Sequence, residues 1–380
     1  MAGDLGFAAN EDPFVVQHGG FYRRWFSMID DIEELKTTVA KLEGTTDDLW
    51  VPVWSEQGKL HEDEGDRLEA AGDHHGARRE YLQAKTYYAI GRFPGEITDI
   101  KAEISRDCAR AYRKACAHLQ PPVEFVDIEH QGQNVTTHYR VPDGASADNP
   151  VSAVLVMCGA DVFKEDRGWA QEMCIENGMA ALVMDGPASG ENPFPWSPSS
   201  VSAWEAAIDW LRARPEIDAD RIGAFGISRG GYSVMQLAGV APDKVAAVVA
   251  NAGHPFGYRM TDEEMDAFVQ ARNDRATLHF GAPGDASSFP TWSKEKEESL
   301  FSEWALSEQG ILENITMPVL MINGKHDHLA PIGNIYFMLE TGPVANKAAR
   351  VYADGGHCAF KYYDDWAPAT FAFLAEKLGA

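Results

Sequence analysis

From Pro122 onward the chain alternates short apolar runs with amphipathic stretches, and that alternation restricts its fold more than any other feature. The runs at 151–158, 180–184, 222–227, 245–250, 318–322 and 350–352 are apolar at successive positions rather than at every second residue, Ser152 and Arg350 excepted. Strands covered on both faces have that pattern. Between them the period lengthens: Trp204, Ala207, Ile208 and Leu211 fall at i, i+3, i+4 and i+7, which lines one face of a helix. An α/β fold with a mostly parallel sheet follows. Ahead of these runs, 123–129 and 135–141 flank the turn Gln131-Gly132-Gln133 and predict an antiparallel pair. The sheet then has eight strands.

Residues before 122 follow a different pattern. Trp25, Met28, Ile29, Ile32, Leu35, Val39 and Leu42 recur at three- and four-residue steps, as on a helix buried along one side. Helices are predicted over 54–70 and 75–90, joined by Ala71-Gly72-Asp73, where Gly72 can end the first. A third, over 96–119, stops before Pro121-Pro122 because proline neither continues a helix nor tolerates one just before it. The expected organisation is an N-terminal all-helical domain at 1–121 and an α/β domain at 122–380. Residues 251–316 are too many for a connection of about 4 to 6 residues, so they form a helical insertion.

Charge and cysteine content exclude several classes of function. With 33 Lys and Arg against 58 Asp and Glu, the net charge is −25, and a surface of that sign repels nucleic acid. No apolar run approaches the roughly 20 residues that a bilayer requires, so no membrane partner is expected. Residues 1–10 lack the basic and apolar regions of a secretory signal, and five scattered cysteines without a CxxC pair suggest reduced thiols,. A cytoplasmic location is the expectation. His61, His74 and His75 share no zinc-like spacing with a second ligand pair,, so no metal and no cofactor are expected.

The chemistry concentrates where the strand 222–227 runs into Gly226-Ile227-Ser228-Arg229-Gly230-Gly231. A GxSxG between a strand and a helix is a nucleophile elbow, which lifts the serine hydroxyl above the sheet edge. Ser228 needs a base to take its proton, and a neutral imidazole suits that task. His357, after the last strand in Asp354-Gly355-Gly356-His357, is the candidate base. Asp327, after the strand 318–322, is the candidate acid that orients it, with Asp354 as the alternative. His326 and His328 flank Asp327 on a turn that faces solvent or the pocket rim. The order Ser228, Asp327, His357 is that of α/β-hydrolases. An oxyanion formed on Ser228 attack needs two N–H donors, predicted to be the amides of Arg229 and Ala160, with Gly159 second to Ala160. Trp54, Tyr87 and Tyr88 in the helical block, and His254 and Tyr258 in the insertion, are candidate contacts to an aromatic substrate as well as candidate core residues.

Four segments carry a resemblance to a known family. They are Leu68-Glu69-Ala70-Ala71-Gly72-Asp73 followed by Ala77, Tyr81, Ala84, Tyr87-Tyr88 and Phe93-Pro94; Gly159-Ala160-Asp161-Val162-Phe163-Lys164-Glu165; Asp185-Gly186-Pro187-Ala188-Ser189-Gly190-Glu191; and the elbow itself. With them the chain resembles α/β-hydrolases that carry an N-terminal helical domain, the fermentation-respiration switch protein-like family. Within it the chain looks most like the C–C bond hydrolases of nicotine breakdown and the fungal hydrolases that shorten polyketide pigment precursors. It departs from the family at Cys158, where a second glycine is usual, and at Ala188-Ser189, where Gly-Gln is commoner. The resemblance implies a homodimer, no metal, and a small-molecule substrate held between the helical and catalytic domains. It also implies hydrolysis of an aryl ketone or β-diketone. An esterase or thioesterase, and a binding protein with an inactive site, are the alternatives.

Overall fold

A computed structural model describes residues 29–44, 46–93, 98–280, 292–343 and 346–380, the side chains of 274–280 excepted. Two compact units emerge, one drawn from Met1–Pro122 with Asn273–Thr291, the other from Val123–Arg272 with Trp292–Ala380.

The first unit is helical. Among its described residues α1 spans Ile32–Val39, α2 Asp47–Ala70, α3 His74–Arg92 and α4 Asp99–Ala115. Trp25 and Met28, on the predicted apolar face ahead of α1, lie outside the described residues. The α2–α3 turn falls where Ala71-Gly72-Asp73 placed it, and the Asp73 carboxylate accepts the Gly76 N–H at 2.9 Å, capping α3. Helix α2 begins seven residues before the predicted start at 54, passing through Pro52. Pro52, sixth in the helix, cannot donate to the Asp48 carbonyl,, but the added turns bury Trp50 and Val51, with Trp50 Nε1–H donating to the Ile90 carbonyl at 3.1 Å. Helix α4 ends at Ala115, short of the predicted 119, while Glu96 and Ile97 of its predicted start lie outside the described residues.

A buried carboxylate ties the hairpin to α4. Glu62 accepts hydrogen bonds from the Tyr88 hydroxyl at 2.9 Å and from Arg110 Nε at 2.9 Å and Nη2 at 2.7 Å, and pairs with Lys114 at 2.9 Å. Burial alone would raise its pKa, but Arg110, Lys114 and Tyr88 outweigh burial and pull it down to about 2. A pKa below its unfolded value stabilises the fold above pH 4.5, and that contribution is lost as pH falls toward 2. Glu62→Gln should therefore destabilise the chain by roughly 2–3 kcal/mol at neutral pH. In urea titrations followed by circular dichroism, the gap between variant and native should narrow between pH 4.5 and 2.

The second unit is built on one eight-stranded sheet. Its strands are β1 (Glu124–His130), β2 (Gln133–Arg140), β3 (Val151–Met157), β4 (Ala180–Met184), β5 (Ile217–Ile227), β6 (Ala247–Asn251), β7 (Val319–Gly324) and β8 (Lys347–Tyr352), in spatial order β1-β2-β4-β3-β5-β6-β7-β8. Only β2 runs against its neighbours, pairing antiparallel with β1 and β4. The expected eight-stranded, mostly parallel sheet is present.

Its helices are α5 (Gly168–Glu176), α6 (Val201–Arg212), α7 (Arg229–Val240), α8 (Asp262–Phe280, counted here as far as Arg272), α9 (Lys294–Trp304), α10 (Gly333–Glu340) and α11 (Tyr363–Leu378). Side chains alternate across each strand: Ala153, Leu155 and Met157 join one core with Trp204, Ala207, Ile208 and Leu211 of α6, whereas Val154 and Val156 join another with Trp366, Phe371 and Leu374 of α11. Helices α8 and α9 lie between β6 and β7, so the segment before the acid-bearing strand is helical as expected. No described helix is long and apolar enough to cross a membrane, and all five cysteines are buried and free.

The topology also locates a site. After β3 the chain moves outward on one side to β4, then returns to the other side of β3 as β5. At such a switch point the loops after β3 and β5 diverge and leave a crevice beyond the strands' C-terminal ends. Those loops begin at Cys158 and Ser228.

Candidate active site

The turn at the end of β5 is forced by lack of room. Ser228 has φ +58° and ψ −119°, a conformation that costs an L-residue about 1–2 kcal/mol. A Cβ on Gly226 would lie 2.1 Å from the Gly230 carbonyl oxygen, and one on Gly230 would lie 2.5 Å from that of Met157. Only glycine fits either position. The Ser228 N–H donates to the Asn251 carbonyl at 2.7 Å, and its own carbonyl accepts the Tyr232 N–H at 3.1 Å, so the strained residue is held from both sides.

Two further loops reach the serine hydroxyl. Ser228 Oγ lies 3.0 Å from His357 Nε2, and His357 Nδ1–H donates to Asp327 Oδ2 at 2.8 Å. The other oxygen of Asp327 accepts the Leu329 N–H at 2.8 Å and the Ala330 N–H at 3.0 Å. A carboxylate so oriented fixes the proton on Nδ1, which leaves the Nε2 lone pair facing Ser228. The loops are joined by their backbones, with the Lys325 N–H donating to Tyr352 O at 2.8 Å and the His326 N–H to Gly355 O at 2.9 Å. His326 contributes its amide there while its side chain is exposed, as is that of His328. Asp354, the alternative acid, instead pairs with Lys361 and Tyr362.

Burial opposes charge on both members of the His357–Asp327 pair, but their mutual attraction outweighs it. Asp327 is held below the usual carboxylate range, and His357 is raised above 6.5. Burial pushes the nearby Cys158 thiol far up, so it stays neutral.

The loop after β3 lies against the elbow. A Cβ on Gly159 would fall 3.3 Å from the Ile227 carbonyl oxygen and 3.7 Å from Ser228 Cβ. Arg229 supplies the first N–H of α7, at the positive end of the helix,. Its guanidinium donates from Nη2 to Ala160 O at 3.2 Å and to Ser189 Oγ at 3.0 Å, and its centre lies 4.7 Å from the Trp196 ring centroid. Trp196 in turn stacks on Trp304 at 4.9 Å.

Behind this loop sits a charge cluster whose motifs are plain in the sequence but whose purpose is not. Lys164, fully buried, contacts Asp185 at 2.7 Å, Glu191 at 2.8 Å and Glu165 at 3.0 Å. Asp185 also accepts the backbone N–H groups of Lys164 at 2.7 Å and Glu191 at 3.1 Å. The loops after β3 and β4 are thereby fastened together. The clue was a lone lysine among acidic residues in two of the family-like segments.

The five candidate substrate contacts are all engaged in packing or hydrogen bonds within their own units. Trp54, Tyr87 and Tyr88 are buried in the helical core, and the two tyrosine hydroxyls donate to Glu34 at 2.6 Å and Glu62 at 2.9 Å. His254 uses both ring nitrogens: Nε2–H donates to Glu297 at 3.0 Å, while Nδ1 accepts from Asn334 Nδ2 at 3.0 Å. The Asn334 amide is fixed in that sense because its oxygen accepts the Phe256 N–H at 2.9 Å. Tyr258 is half-buried and donates to Glu264 at 2.7 Å. Half-buried Trp196 was not singled out from the sequence, since it lies in no recognisable motif.

A serine whose proton can pass to an oriented imidazole can attack a carbonyl carbon. If His357 acts so, it must be neutral, and activity is lost as pH falls through its raised pKa. The acid limb of kcat/KM should lie above pH 6.5, and Asp327→Asn should move it down while lowering kcat by about 10⁴. A limb at or below 6.5 in the native protein would contradict this.

Comparison with known proteins agrees with the fold. The profile of the family described as esterase FrsA-like matches residues 30–334. A 2,6-dihydropseudooxynicotine hydrolase from Paenarthrobacter nicotinovorans is 24% identical over 340 residues, covering 88% of this chain and 86% of its own. The α/β hydrolase gkaG of Penicillium citrinum is 25% identical over 233 residues, 58% of this chain, which spans only 55% of that relative's length. The crystal structure of 2,6-dihydroxy-pseudo-oxynicotine hydrolase superposes with a TM-score of 0.74 at 20% identity, over 96% of this chain and 95% of that one.

Proposed function

The chain belongs to the FrsA-like esterase family and is an α/β-type hydrolase, and we propose that it cleaves a C–C bond beside the carbonyl of a small aromatic or polyketide-like ketone, through Ser228, His357 and Asp327. The carrying observation is the hydrogen-bonded chain from Ser228 Oγ through His357 to Asp327.

In the proposed cycle His357 Nε2 takes the Ser228 proton as Oγ adds to the ketone carbon. The amides of Arg229 and Ala160 receive the oxyanion. Collapse breaks the C–C bond, and the leaving carbanion, stabilised by an electron-rich ring or a second carbonyl, takes the proton from His357. The acyl group stays on Ser228 as an ester. Water, deprotonated by His357, then releases it as a carboxylic acid and restores the serine.

Two observations favour a ketone of this kind. A relative that matches over most of its own length is a hydrolase named for a pseudooxynicotine. The half-buried Trp196 and Trp304, close to Arg229, add aromatic edges near the elbow that suit an aromatic substrate. The same residues would cleave an ester or thioester, whose leaving group departs more easily, so esterase activity is the second reading, and the family's own description favours it.

Paired aryl ketones and aryl esters, incubated with the protein and followed by mass spectrometry, separate the two. Ketone and β-diketone cleavage to an acid and a neutral fragment is expected, with Ser228→Ala lowering the rate by roughly 10⁴–10⁶. Turnover of esters alone would reject the C–C reading, and full activity in Ser228→Ala would reject both.

A further inference from the structure

Outside the elbow, the described residues contain one cluster with the donor set of a transition-metal site. Glu69 lies in the last turn of α2, His74 opens α3, and His118 follows the end of α4. Glu69 Oε2 is 3.0 Å from His74 Nδ1, and its Oε1 is 2.7 Å from His118 Nε2. The two imidazole rings lie 3.9 Å apart between centroids, tilted by 31°. One atom from each residue can be chosen so that all lie within 4.8 Å of one another. The sequence hides this arrangement, because its ligands come from three segments and His118 is distant from the other two.

We propose that Glu69, His74 and His118 bind a divalent transition cation of the zinc class, fastening the α2–α3 turn to the end of α4. Three features point to a cation. Two imidazoles and one carboxylate are a recognised three-residue donor set, which leaves a fourth position for water. Imidazole nitrogens favour zinc, nickel, cobalt or copper over calcium or magnesium. The two ring nitrogens already converge on a single carboxylate, where a cation would replace the shared protons. Ligand atoms around tetrahedral zinc lie about 3.3 Å apart, so the two contacts of Glu69, at 3.0 and 2.7 Å, would open slightly and the two imidazole rings would rotate to turn both lone pairs to one ion. All three are partly exposed and free to do so: their side chains are 35%, 51% and 45% accessible.

The backbone prepares the site. Asp73 caps α3 beside His74, and the Asp73 N–H returns to the Leu68 carbonyl at 3.0 Å. Glu69 and His74 are therefore carried on one fixed turn, and only His118 arrives from another segment. A cation bound to the folded chain alone stabilises it in proportion to its affinity.

The test uses the full chain, stripped with a chelator and titrated with zinc against a chromophoric competitor. One equivalent should bind with a dissociation constant below roughly 100 µM, and cobalt should give the visible absorption of a tetrahedral site. His74→Ala with His118→Ala should weaken zinc at least tenfold. Glu69→Gln, which keeps a hydrogen-bonding side chain, should weaken it as well, while His75→Ala, altering an exposed neighbour, should not. Circular dichroism of the metal-free variants checks that each is folded. Native affinity weaker than that limit, or a double variant that binds zinc within tenfold of the native chain, overturns the proposal.

Discussion

The candidate site depends on how closely three stretches of backbone crowd around Ser228. Gly226 and Gly230 approach each other until no Cβ fits between them, and Gly230 meets the carbonyl of Met157 in the same way. That contact brings the end of β3 against the start of α7. It also imposes the positive φ of Ser228, and so raises the hydroxyl above the sheet edge instead of laying it along the strand. The strain persists because hydrogen bonds on both sides of the residue leave it no alternative,. The crevice at the β3/β5 switch point gives the raised hydroxyl open space.

Electrostatics do the rest of the positioning. One side of the crevice holds Asp327 and His357, where each charge offsets the burial of the other. The other side holds Lys164, whose single positive charge gathers Asp185, Glu165 and Glu191. Removing that lysine would leave the buried carboxyl groups of Asp185 and Glu165 facing one another without solvent, which is why a buried ion cluster resists the loss of one member. Arg229 joins the two sides: its amide begins α7, and its guanidinium holds the Ala160 carbonyl and Ser189.

Features set by local chemistry could be read from the residues. Apolar runs marked the sheet, and the helical period of Trp204, Ala207, Ile208 and Leu211 marked a helix whose four residues are buried as expected. The sequence also identified the residues now found hydrogen-bonded as Ser228, His357 and Asp327, because each lies on the loop that follows a strand and strand ends converge. What depends on distant packing could not be read. The predicted start at 54 missed the first turns of α2, which run through Pro52 and bury Trp50 and Val51. Trp54, Tyr87, Tyr88, His254 and Tyr258 had the right chemistry to meet a substrate, but Glu34, Glu62, Glu297, Asn334 and Glu264 lie too far away in sequence, or in too ordinary a context, for their hydrogen bonds to be anticipated. Glu69, His74 and His118 converge for the same reason, from segments with no common motif.

The central claim is that Ser228 is a nucleophile made reactive by His357. Labelling the protein with a fluorophosphonate and mapping the adduct by peptide mass spectrometry addresses it without knowledge of the substrate. The account predicts one adduct, on Ser228, whose formation slows by orders of magnitude in His357→Ala. An unlabelled Ser228, or labelling at the same rate without the imidazole, would contradict it.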